Sequence, residues 1–545
     1  MPIRPTYPGV YIEEIPSGVH TITGVATSIT AFVGRALWGP VNDPIVINSY
    51  ADYERQFGGL STSSTMSYAV QDFYLNGGSQ AIIVRLANGG SAATITLPQD
   101  TSSPPSSPLS SPISSPFTTL LLNAASVGAW GKNLTALVDH ATKTPADMTL
   151  FNLTITLMDS TGTKVVTSEK YLNVSVDHNN ARYVAKVLQQ NSNLVVVAND
   201  SVDGTDPTRD NVPGVRPADT VVQILSPPQT VPTPVPAVGG SDGDPLGDND
   251  FIGPGTQDNK SGIYALEKAD LFNILSIPPY NGSSDVGFPV VANAAQYCEK
   301  RRAFYVVDPP STWNTKAKAI AGLDSLGTKS DHAAVFFPRL MEVNPLKDGQ
   351  IDTFVPSGAV AGIFARTDAQ RGVWKAPAGQ EATLVGVVDL SVPLTDDENG
   401  ELNPLGINCL RAFPIVGRVV WGARTLQGAD QLASEWKYIP VRRTALFIEE
   451  SLYRGTKWVV FEPNDESLWA QIRLNVGAFM HNLFRQGAFQ GKSAREAYFV
   501  KCDSETTTQN DIDQGIVNIL VGFAPLKPAE FVIIQIQQMA GQIQV

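Results

Sequence analysis

The stretch that decides the fold reads LFNILSI at residues 271–277, AFYVV at 303–307 and AAVFF at 333–337. Each is an apolar run of strand length, and the segments between them, 290–302 and 313–326, are predicted helices. Strands that alternate with helices of this length are typical of a parallel sheet. We therefore expect an α/β domain in this part of the chain.

The C-terminal third has a different pattern. We predict strands at Trp436–Leu446 and Lys457–Phe461, and two more at Ala497–Lys501 and Val517–Phe523. A helix is predicted between the two pairs, so this part should be α+β.

The predicted helix runs from Asp465 to Arg485, and Asn464 or Asp465 is available to cap it. Gly487 and Gly491 would end it. Its apolar side chains recur at helical spacing and are expected to face a core. They are Leu468, Ile472, Val476, Phe479 and Leu483.

Both ends of the chain also have the pattern of strands. Val10–Ile15 lies near the start, and Phe531–Met539 lies near the end. Ile534–Gln537 alternates apolar and polar residues, which is the period of a half-buried strand. A terminal strand needs a sheet to join. The pattern leaves open whether that sheet is the chain's own or belongs to another copy.

Two loop-like tracts bracket a module in the first half of the chain. Residues 98–118 are rich in Ser and Pro, which favours solvated, extended backbone, and residues 226–260 are rich in Pro, Gly and Asp. The module between them contains strand-like segments at Leu150–Met158 and Val165–Val176. Two linkers around a compact middle predict a domain inserted into a larger one.

The composition argues against several classes of function. The 545 residues are 43% hydrophobic, enough for several cores, and carry a formal net charge of −13. A nucleic-acid-binding protein would present a basic face instead. No window has the ~18 uninterrupted apolar residues of a membrane-spanning helix, and no apolar signal segment opens the chain. We expect folding in the cytosol, no nucleic-acid partner and no membrane insertion.

The sequence contains no recognisable catalytic, metal or cofactor motif, so neither enzyme activity nor a cofactor is expected. Gly487–Ser493 is like a phosphate-binding loop but has three residues between its glycines where four are required. The acidic segment 242–250 lacks the glutamate that closes a calcium loop and is interpreted as a solvated linker. Cys298, Cys409 and Cys502 are far apart and are expected to be buried, reduced thiols.

The five histidines are not spaced as metal ligands. His332 follows Asp331, but adjacent residues of a strand point to opposite faces, so no contact between these two side chains is predicted. The nucleophile elbow Gly-x-Ser-x-Gly is absent. A serine hydrolase is therefore left without a catalytic set.

Several short segments stand out by their residues and their order. They are YPGVYIEE (7–14), GVATSITAFVG (24–34), WGP (38–40), YLNGG (74–78), GIN (406–408), VWGARTL (420–426), VRR (441–443), FEPN (461–464) and APLKPAEF (524–531). Together they resemble the tail sheath proteins of contractile phages and of phage-like contractile injection systems. The matches spread over residues 7–90 and 356–541, and the Ser/Pro tract departs from the family's pattern.

The resemblance implies a multidomain protein of mixed α/β and α+β class. A subtilisin-like α/β domain would precede a C-terminal α+β sheath core domain, with an inserted β-rich outer domain and extended terminal arms. The implied boundaries are 1–20 for the N-terminal arm, 21–97 for the first part of the α/β core, 98–118 for the Ser/Pro linker, 119–225 for the outer domain, 226–260 for the second linker, 261–390 for the subtilisin-like domain, 391–529 for the sheath core domain and 530–545 for the C-terminal arm.

The same resemblance implies a structural role. The chain would polymerise helically around an inner tube and contract to drive that tube through a target envelope. Its partners would be other copies of itself, with hexameric rings as one arrangement, the inner tube protein, and the baseplate and tail terminator or cap proteins. Assembly is expected in the bacterial cytoplasm, within a phage tail or phage-like particle that is released or retained.

Two sets of residues are expected to make the contacts. The terminal arms would add strands to a neighbour's sheet, and they include Val10, Tyr11, Ile12, Glu13, Glu14, Phe531, Val532, Ile533, Ile534 and Ile536. The tube would meet polar residues of the predicted helix or the turn after it, namely Gln471, Arg473, Arg485, Lys492 and Arg495. Two alternatives remain: a subtilisin-like hydrolase and a surface or adhesion protein.

Overall fold

The computed structural model describes residues 20–101, 115–199, 210–225 and 228–536. The first range opens with strands and helices in alternation. They are β1 (Thr30–Gly34), β2 (Ile45–Ile47), α1 (Tyr50–Phe57), α2 (Thr65–Leu75) and β3 (Ala81–Arg85). Each helix begins at a serine whose hydroxyl oxygen accepts a backbone N–H from the first turn, Ser49 for α1 and Ser64 for α2.

Two four-stranded sheets follow. The elements here are β4 (Ser91–Pro98), β5 (Thr119–Ala124), β6 (Leu134–Asp139), β7 (Leu150–Met158), β8 (Val165–Ser175), α3 (Val184–Asn191), β9 (Val195–Val197), β10 (Val221–Leu225), β11 (Pro228–Pro232), β12 (Val235–Pro236) and β13 (Val238–Ser241). One sheet has the order β12-β6-β7-β8 and the other β13-β4-β5-β9, while β10 and β11 pair only with each other. Inward-facing residues of both sheets, including Leu122 and Phe151, form one hydrophobic core, so the two sheets make a β-sandwich.

This β-rich part extends beyond the range 119–225 that the sequence predicts for it. β4 lies before that range and pairs with β5, whereas β12 and β13 lie after it and pair with β6 and β4. Residues 228–241, which were predicted to be linker, are therefore largely in strands.

A large sheet with helices on both faces forms the centre of the chain. After the two four-stranded sheets, the chain forms the remaining elements of this region in the following order: α4 (Asp248–Ile252), β14 (Ile274–Ser276), α5 (Phe288–Arg301), β15 (Phe304–Val307), α6 (Lys316–Gly322), β16 (Ala333–Phe337), β17 (Leu340–Asn344), β18 (Gln350–Phe354), α7 (Ser357–Arg371), β19 (Val387–Leu390), α8 (Asp396–Leu402), β20 (Ile407–Phe413) and β21 (Gly417–Val420). The order is β2-β3-β1-β14-β15-β16-β20-β21, with parallel pairing from β3 to β20. The predicted parallel sheet is confirmed, and β17, β18 and β19 form a small antiparallel sheet beside it.

Successive residues of the central strands face two different cores. Ala31 and Val33 of β1 join the core that α5 covers, and Phe32 joins the core that α2 and α7 cover. Strands buried on both faces carry continuous apolar runs, which is the pattern seen in the sequence.

The C-terminal part contains α9 (Ile439–Gly455), α10 (Glu466–Arg485), α11 (Ala494–Ala497), β22 (Tyr498–Lys501), α12 (Gln509–Asp513) and β23 (Leu520–Phe523). The strand predicted at Trp436–Leu446 is wrong, because α9 begins at Ile439 with Pro440 in its first turn. The strand predicted at Lys457–Phe461 is also wrong, because Lys457–Val459 is a 3-10 turn. Within the described ranges, no helix has both the length and the apolar character needed to cross a membrane.

The predicted helix at 465–485 is confirmed as α10. The Asp465 carboxylate accepts the backbone N–H of Leu468 at 3.0 Å and so caps the helix. All five residues of the predicted apolar stripe are buried.

Helix α9 crosses the amino ends of three neighbouring strands of the large sheet. Arg442 lies 3.7 Å from Asp331 before β16, Glu450 accepts from Arg302 before β15 at 3.0 Å, and Arg454 donates to Asp270 before β14 at 2.7 Å. These ion pairs join the large sheet to the C-terminal part.

Two carboxyl groups are buried together between α2 and β17. Asp72 and Glu342 are 4% and 8% exposed. Burial raises the pKa of Glu342 to about 7, and burial together with the nearby Glu342 raises the pKa of Asp72 well above its ordinary value. The folded chain therefore holds protons here that the unfolded chain releases. As a result, the stability contributed by the protonated pair is lost as pH rises through about 7.

Replacing one carboxyl group should weaken this pH dependence. Glu342→Gln keeps the size of the side chain but cannot ionise. The fall in melting temperature between roughly pH 5 and pH 8 should therefore shrink, by about 2–4 °C for each kcal/mol recovered, as measured by scanning calorimetry. Asp308, whose pKa burial raises to about 7, keeps part of the slope. The exposed control Glu435→Gln should behave like the parent chain, and an unchanged slope in Glu342→Gln would contradict this account.

Candidate assembly site

A buried arginine holds the base of the C-terminal segment. The side chain of Arg424 has no exposed surface, and its Nε and Nη2 donate to the two carboxylate oxygens of Glu530, each at 2.7 Å. The Asn403 amide and the Tyr438 hydroxyl donate to the same carboxylate at 2.9 and 3.1 Å. Four hydrogen bonds therefore fix Glu530 against the end of the large sheet.

Arg424 and Glu530, which we call the anchor, stabilise each other's charged forms. Arg424 Nη1 also donates to Asp430 at 3.0 Å and to the carbonyl oxygens of Asn403 and Gly428 at 2.9 and 3.2 Å. Burial alone would raise the pKa of Glu530, but the hydrogen bonds from Arg424 and Asn403 outweigh it and hold that pKa below its ordinary value. The carboxylate is thus ionised and paired.

Beyond Glu530 the side chains are largely exposed. Residues 531–536 belong to no strand and no helix. Their large apolar side chains are Phe531 at 73% exposure, Val532 at 81%, Ile533 at 83%, Ile534 at 79% and Ile536 at 92%. Contiguous apolar surface of this kind marks an interaction site. The end of the predicted strand, 537–539, lies outside the described residues.

A two-stranded sheet with open edges forms part of the same C-terminal region. β22 and β23 pair antiparallel, with Tyr498 opposite Phe523 and Lys501 opposite Leu520. In the described part of the chain neither strand pairs with a third one. Their outer backbone N–H and C=O groups can therefore accept another strand.

The predicted N-terminal arm residues, Val10–Glu14, lie outside the described residues. The described chain begins at His20, whose backbone N–H donates to the Asn475 side chain of α10 at 3.1 Å. The His20 ring stacks on Trp458 with 4.1 Å between ring centroids. The chain therefore enters the structure beside α10.

The five tube-facing candidates differ in exposure. Arg485, Lys492 and Arg495 are exposed, and Gln471 is half-buried. The guanidinium of Arg473 is already bound, since it donates to the carbonyl oxygen of Cys502 and, at 2.6 Å, to Glu466.

The three thiols are buried, as predicted. Burial raises the pKa of all three, to about 12 for Cys409 and to about 11 for Cys502. They are therefore inert packing groups.

The predicted absence of contact between His332 and Asp331 is wrong. His332 Nδ1 lies 2.8 Å from Asp331 Oδ1, because both residues lie in the turn before β16 and not in the strand. The ligand atoms of Glu299, Asp331 and His332 lie within 4.8 Å of one another, close enough to bind one metal ion. However, Arg442 lies beside Asp331, and the Ser330 hydroxyl donates to Glu299 at 2.6 Å. Ser330 thus bonds to Glu299 and not to the imidazole, so this is not a nucleophile–base pair.

The interpretation of residues 242–250 as a solvated linker is also corrected. Asp242 accepts the backbone N–H of Ala129 at 2.7 Å, and Asp248 accepts the Tyr280 hydroxyl at 2.7 Å. These carboxylates attach the segment to the sandwich and to the large sheet. Within Gly487–Ser493, Gly487 follows α10 with a φ of 80°, the left-handed conformation that ends helices.

Family models match two consecutive parts of the chain. The phage tail sheath protein central domain matches residues 288–426, and the phage tail sheath C-terminal domain matches residues 432–539. The second match contains α9, α10, the two-stranded sheet of β22 and β23, and the exposed segment after Glu530.

Curated relatives carry the same description. A putative prophage major tail sheath protein of Pseudomonas aeruginosa (strain UCBPP-PA14) is 28% identical over 242 residues, which are 43% of this chain and 57% of that protein. The tail sheath protein of Enterobacteria phage T4 is 25% identical over 211 residues, 38% of this chain and 30% of that protein. The chain thus spans about half or less of the length of these relatives.

Solved structures agree in fold. The sheath complex of an extracellular contractile injection system, PVC, in its contracted state matches with a TM-score of 0.56 and 21% identity, covering 98% of this chain and 99% of that one. A sheath tail protein of Listeria innocua matches with a TM-score of 0.57 and 16% identity, covering 93% and 97%. Residues 288–426 and 432–539 are thus similar, in order, to the central and C-terminal domains of phage tail sheath proteins, and the fold is shared with solved sheath structures.

Proposed function

We propose that this chain is a structural subunit of a contractile sheath, which polymerises helically around an inner tube and contracts to drive that tube through a target envelope. The observation that carries the proposal is the segment 531–536, whose large apolar side chains are 73–92% exposed beyond a base that Arg424 holds in place. A fixed base followed by an exposed apolar segment suits a link to another molecule.

The proposed link is β-augmentation. The C-terminal arm, 531–539, of one copy and the N-terminal arm, 10–15, of another add to the open edges of β22 and β23 in a third. Main-chain hydrogen bonds hold the link, so it persists while the folded bodies rotate. The contact joins different surfaces of two copies, and a head-to-tail contact that does not close builds an open helix.

The proposed domain plan follows the family resemblance. Residues 21–97 and 261–390 form a subtilisin-like domain around the large sheet, and 391–529 form the sheath core domain. The proposed outer domain, 119–225, forms most of the β-sandwich. The separate core of the β-sandwich supports a distinct outer domain. The large sheet, however, includes β20 and β21 from the proposed sheath core domain, and its two cores include residues from that domain.

The inner tube is the proposed partner of the polar side of α10 and of the turn after it. Arg485, Lys492 and Arg495 are exposed cations in a chain of net charge −13, so they would suit an acidic tube surface. Baseplate and terminator proteins are proposed at the two ends of the polymer. Assembly takes place in the bacterial cytoplasm in this proposal.

The driving energy is stored at assembly. The extended sheath is metastable, and a trigger at the baseplate lets the subunits repack more densely. The barrier between the states, more than the equilibrium between them, then sets how long the loaded state persists.

Removing the C-terminal arm should abolish assembly without unfolding the body. A chain that ends at Glu530 keeps the anchor with Arg424 and should keep the parent melting temperature, but it should form no tubes in negative-stain electron microscopy. Normal tubes from this truncation would rule out the arm as the link.

A single substitution in the arm tests whether its backbone hydrogen bonds, and not only its apolar side chains, are needed for assembly. Ile534→Pro removes one backbone donor and should sharply reduce tube formation, whereas the control Ile534→Val keeps every backbone group and should assemble normally. Equal assembly of the two variants would argue against a hydrogen-bonded strand.

Breaking the anchor should cost both stability and assembly. Glu530→Gln keeps the shape but leaves the buried Arg424 without its main partner, so we expect a loss of roughly 3 kcal/mol in urea unfolding. Because the pKa of Glu530 is held below its ordinary value, its contribution should also be lost as pH falls through that pKa. Glu435→Gln, at an exposed site, is the control. A loss no larger than that of the control would contradict the anchor.

Charge reversal should test the tube contact. Arg485→Glu and Lys492→Glu should each weaken co-sedimentation of the sheath with its tube severalfold at low salt, and less at high salt. Lys164→Glu, an exposed change in the β-sandwich, is the control. Unaltered co-sedimentation in both test variants would remove these residues from the interface.

A further inference from the structure

The loop before α10 carries an exposed aromatic side chain. Residues 460–465 join the 3-10 turn to α10, and within them Phe461 is fully exposed while Val460 is 63% exposed. Phe461 has a φ of 72°, a conformation that side chains rarely adopt. Strain of this kind persists only where surrounding contacts impose it, and it clusters at functional sites.

The contacts around Phe461 hold the loop rigidly. The backbone N–H of Glu462 donates to the Val459 carbonyl at 3.2 Å and closes the turn. The Asn464 amide donates to the carbonyl of Ile516 at 2.9 Å and accepts from the Trp469 indole at 2.9 Å. The backbone that carries the exposed Phe461 side chain is therefore held in place, which lowers the entropic cost of ordering this loop on binding.

A cleft of about 740 Å³ lies beside the base of the C-terminal arm. Its lining combines the aromatic side chains of Trp374, Trp421 and Tyr438 with the cations Lys375 and Lys527. The Lys375 ammonium donates to the backbone carbonyls of Ala376 and Ala378, and no carboxylate pairs with it among the described residues. The cleft thus offers aromatic side chains with the cations Lys375 and Lys527 beside them, and the Glu530 carboxylate in its lining is already paired with Arg424.

The loop and the cleft lie at opposite ends of α10. Phe461 precedes the start of the helix, whereas Gly487, which follows its end, lines the cleft. The helix has 20 residues, or about 30 Å at 1.5 Å per residue. One copy therefore cannot place its loop in its own cleft, but it can place it in the cleft of a neighbour.

We propose that residues 460–466 of one copy dock in this cleft of the next copy. The Phe461 ring enters between the tryptophans, and Glu462 and Asp465 face Lys375 and Lys527. The contact is head-to-tail and does not close, so it repeats along the polymer. It rests on the proposed function in requiring a polymer. The cleft is bordered by Glu530 and Phe531 at the base of the C-terminal arm, but the proposed contact uses no strand of either arm.

Cross-linking between two variants of the full chain tests this contact. Val460→Cys and Ala376→Cys keep the ring and the cations in place, and the native thiols are buried. Tubes assembled from a mixture of the two should give cross-linked dimers with a short bismaleimide. Tubes of either variant alone should not.

Two results would contradict the proposed contact, and a third would contradict the proposed function. Tubes of the mixture that give no dimers would overturn the inference and leave the proposed function intact. A chain with both cysteines that closes a link within a single monomer would also overturn it. Failure of the unaltered chain to form tubes would count against the proposed function itself.

A second measurement uses the energy of the contact. Phe461→Ala should raise the concentration needed for assembly about tenfold, without changing the melting temperature of the monomer. Val238→Ala, an exposed change in the β-sandwich, is the matched control. Glu462→Lys should also raise the concentration needed for assembly. Mixing this variant with Lys527→Glu chains should lower that concentration again, because the new lysine then faces a glutamate in the cleft. Parent-like assembly of Phe461→Ala would overturn the inference.

Discussion

The position of the C-terminal arm depends on one buried cation. A guanidinium without exposed surface costs several kcal/mol unless its charge and its N–H groups are satisfied. Arg424 satisfies them with Glu530, Asp430 and the carbonyls of Asn403 and Gly428. Because these partners come from separate segments, the arginine fixes the end of the large sheet and the base of the arm relative to each other. The chain after Glu530 is then left available for another molecule.

The ion pairs of α9 also join separate segments of the chain. They connect this helix to the amino ends of β14, β15 and β16, and the buried pair between Arg443 and Asp368, at 2.6 Å, adds a link to α7. The large sheet and the C-terminal part are thus joined by charges that have little freedom to separate. A load on the arm would pass through Glu530 and Arg424 into the sheet.

The sequence predicts the parts of this structure that depend on local pattern. The sequence predicts β15 and β16 because burial on both faces makes these strands continuously apolar. The sequence predicts a strand at Trp436–Leu446 where the structure has α9, and the charged residues of this helix are paired with groups far away in the chain, as Arg442 is with Asp331. Pro440 was the local signal that could have corrected it. The anchor of Glu530 had no such signal, since its partner Arg424 lies 106 residues away.

The most direct test of arm exchange is a cryo-electron microscopy map of tubes assembled from this chain. The account predicts that Tyr498–Lys501 and Leu520–Phe523 form the middle of a four-stranded sheet, with the outer strands supplied by the arms of two other copies. Outer strands that trace back to the same copy, or a sheet that stays two-stranded in the polymer, would contradict it.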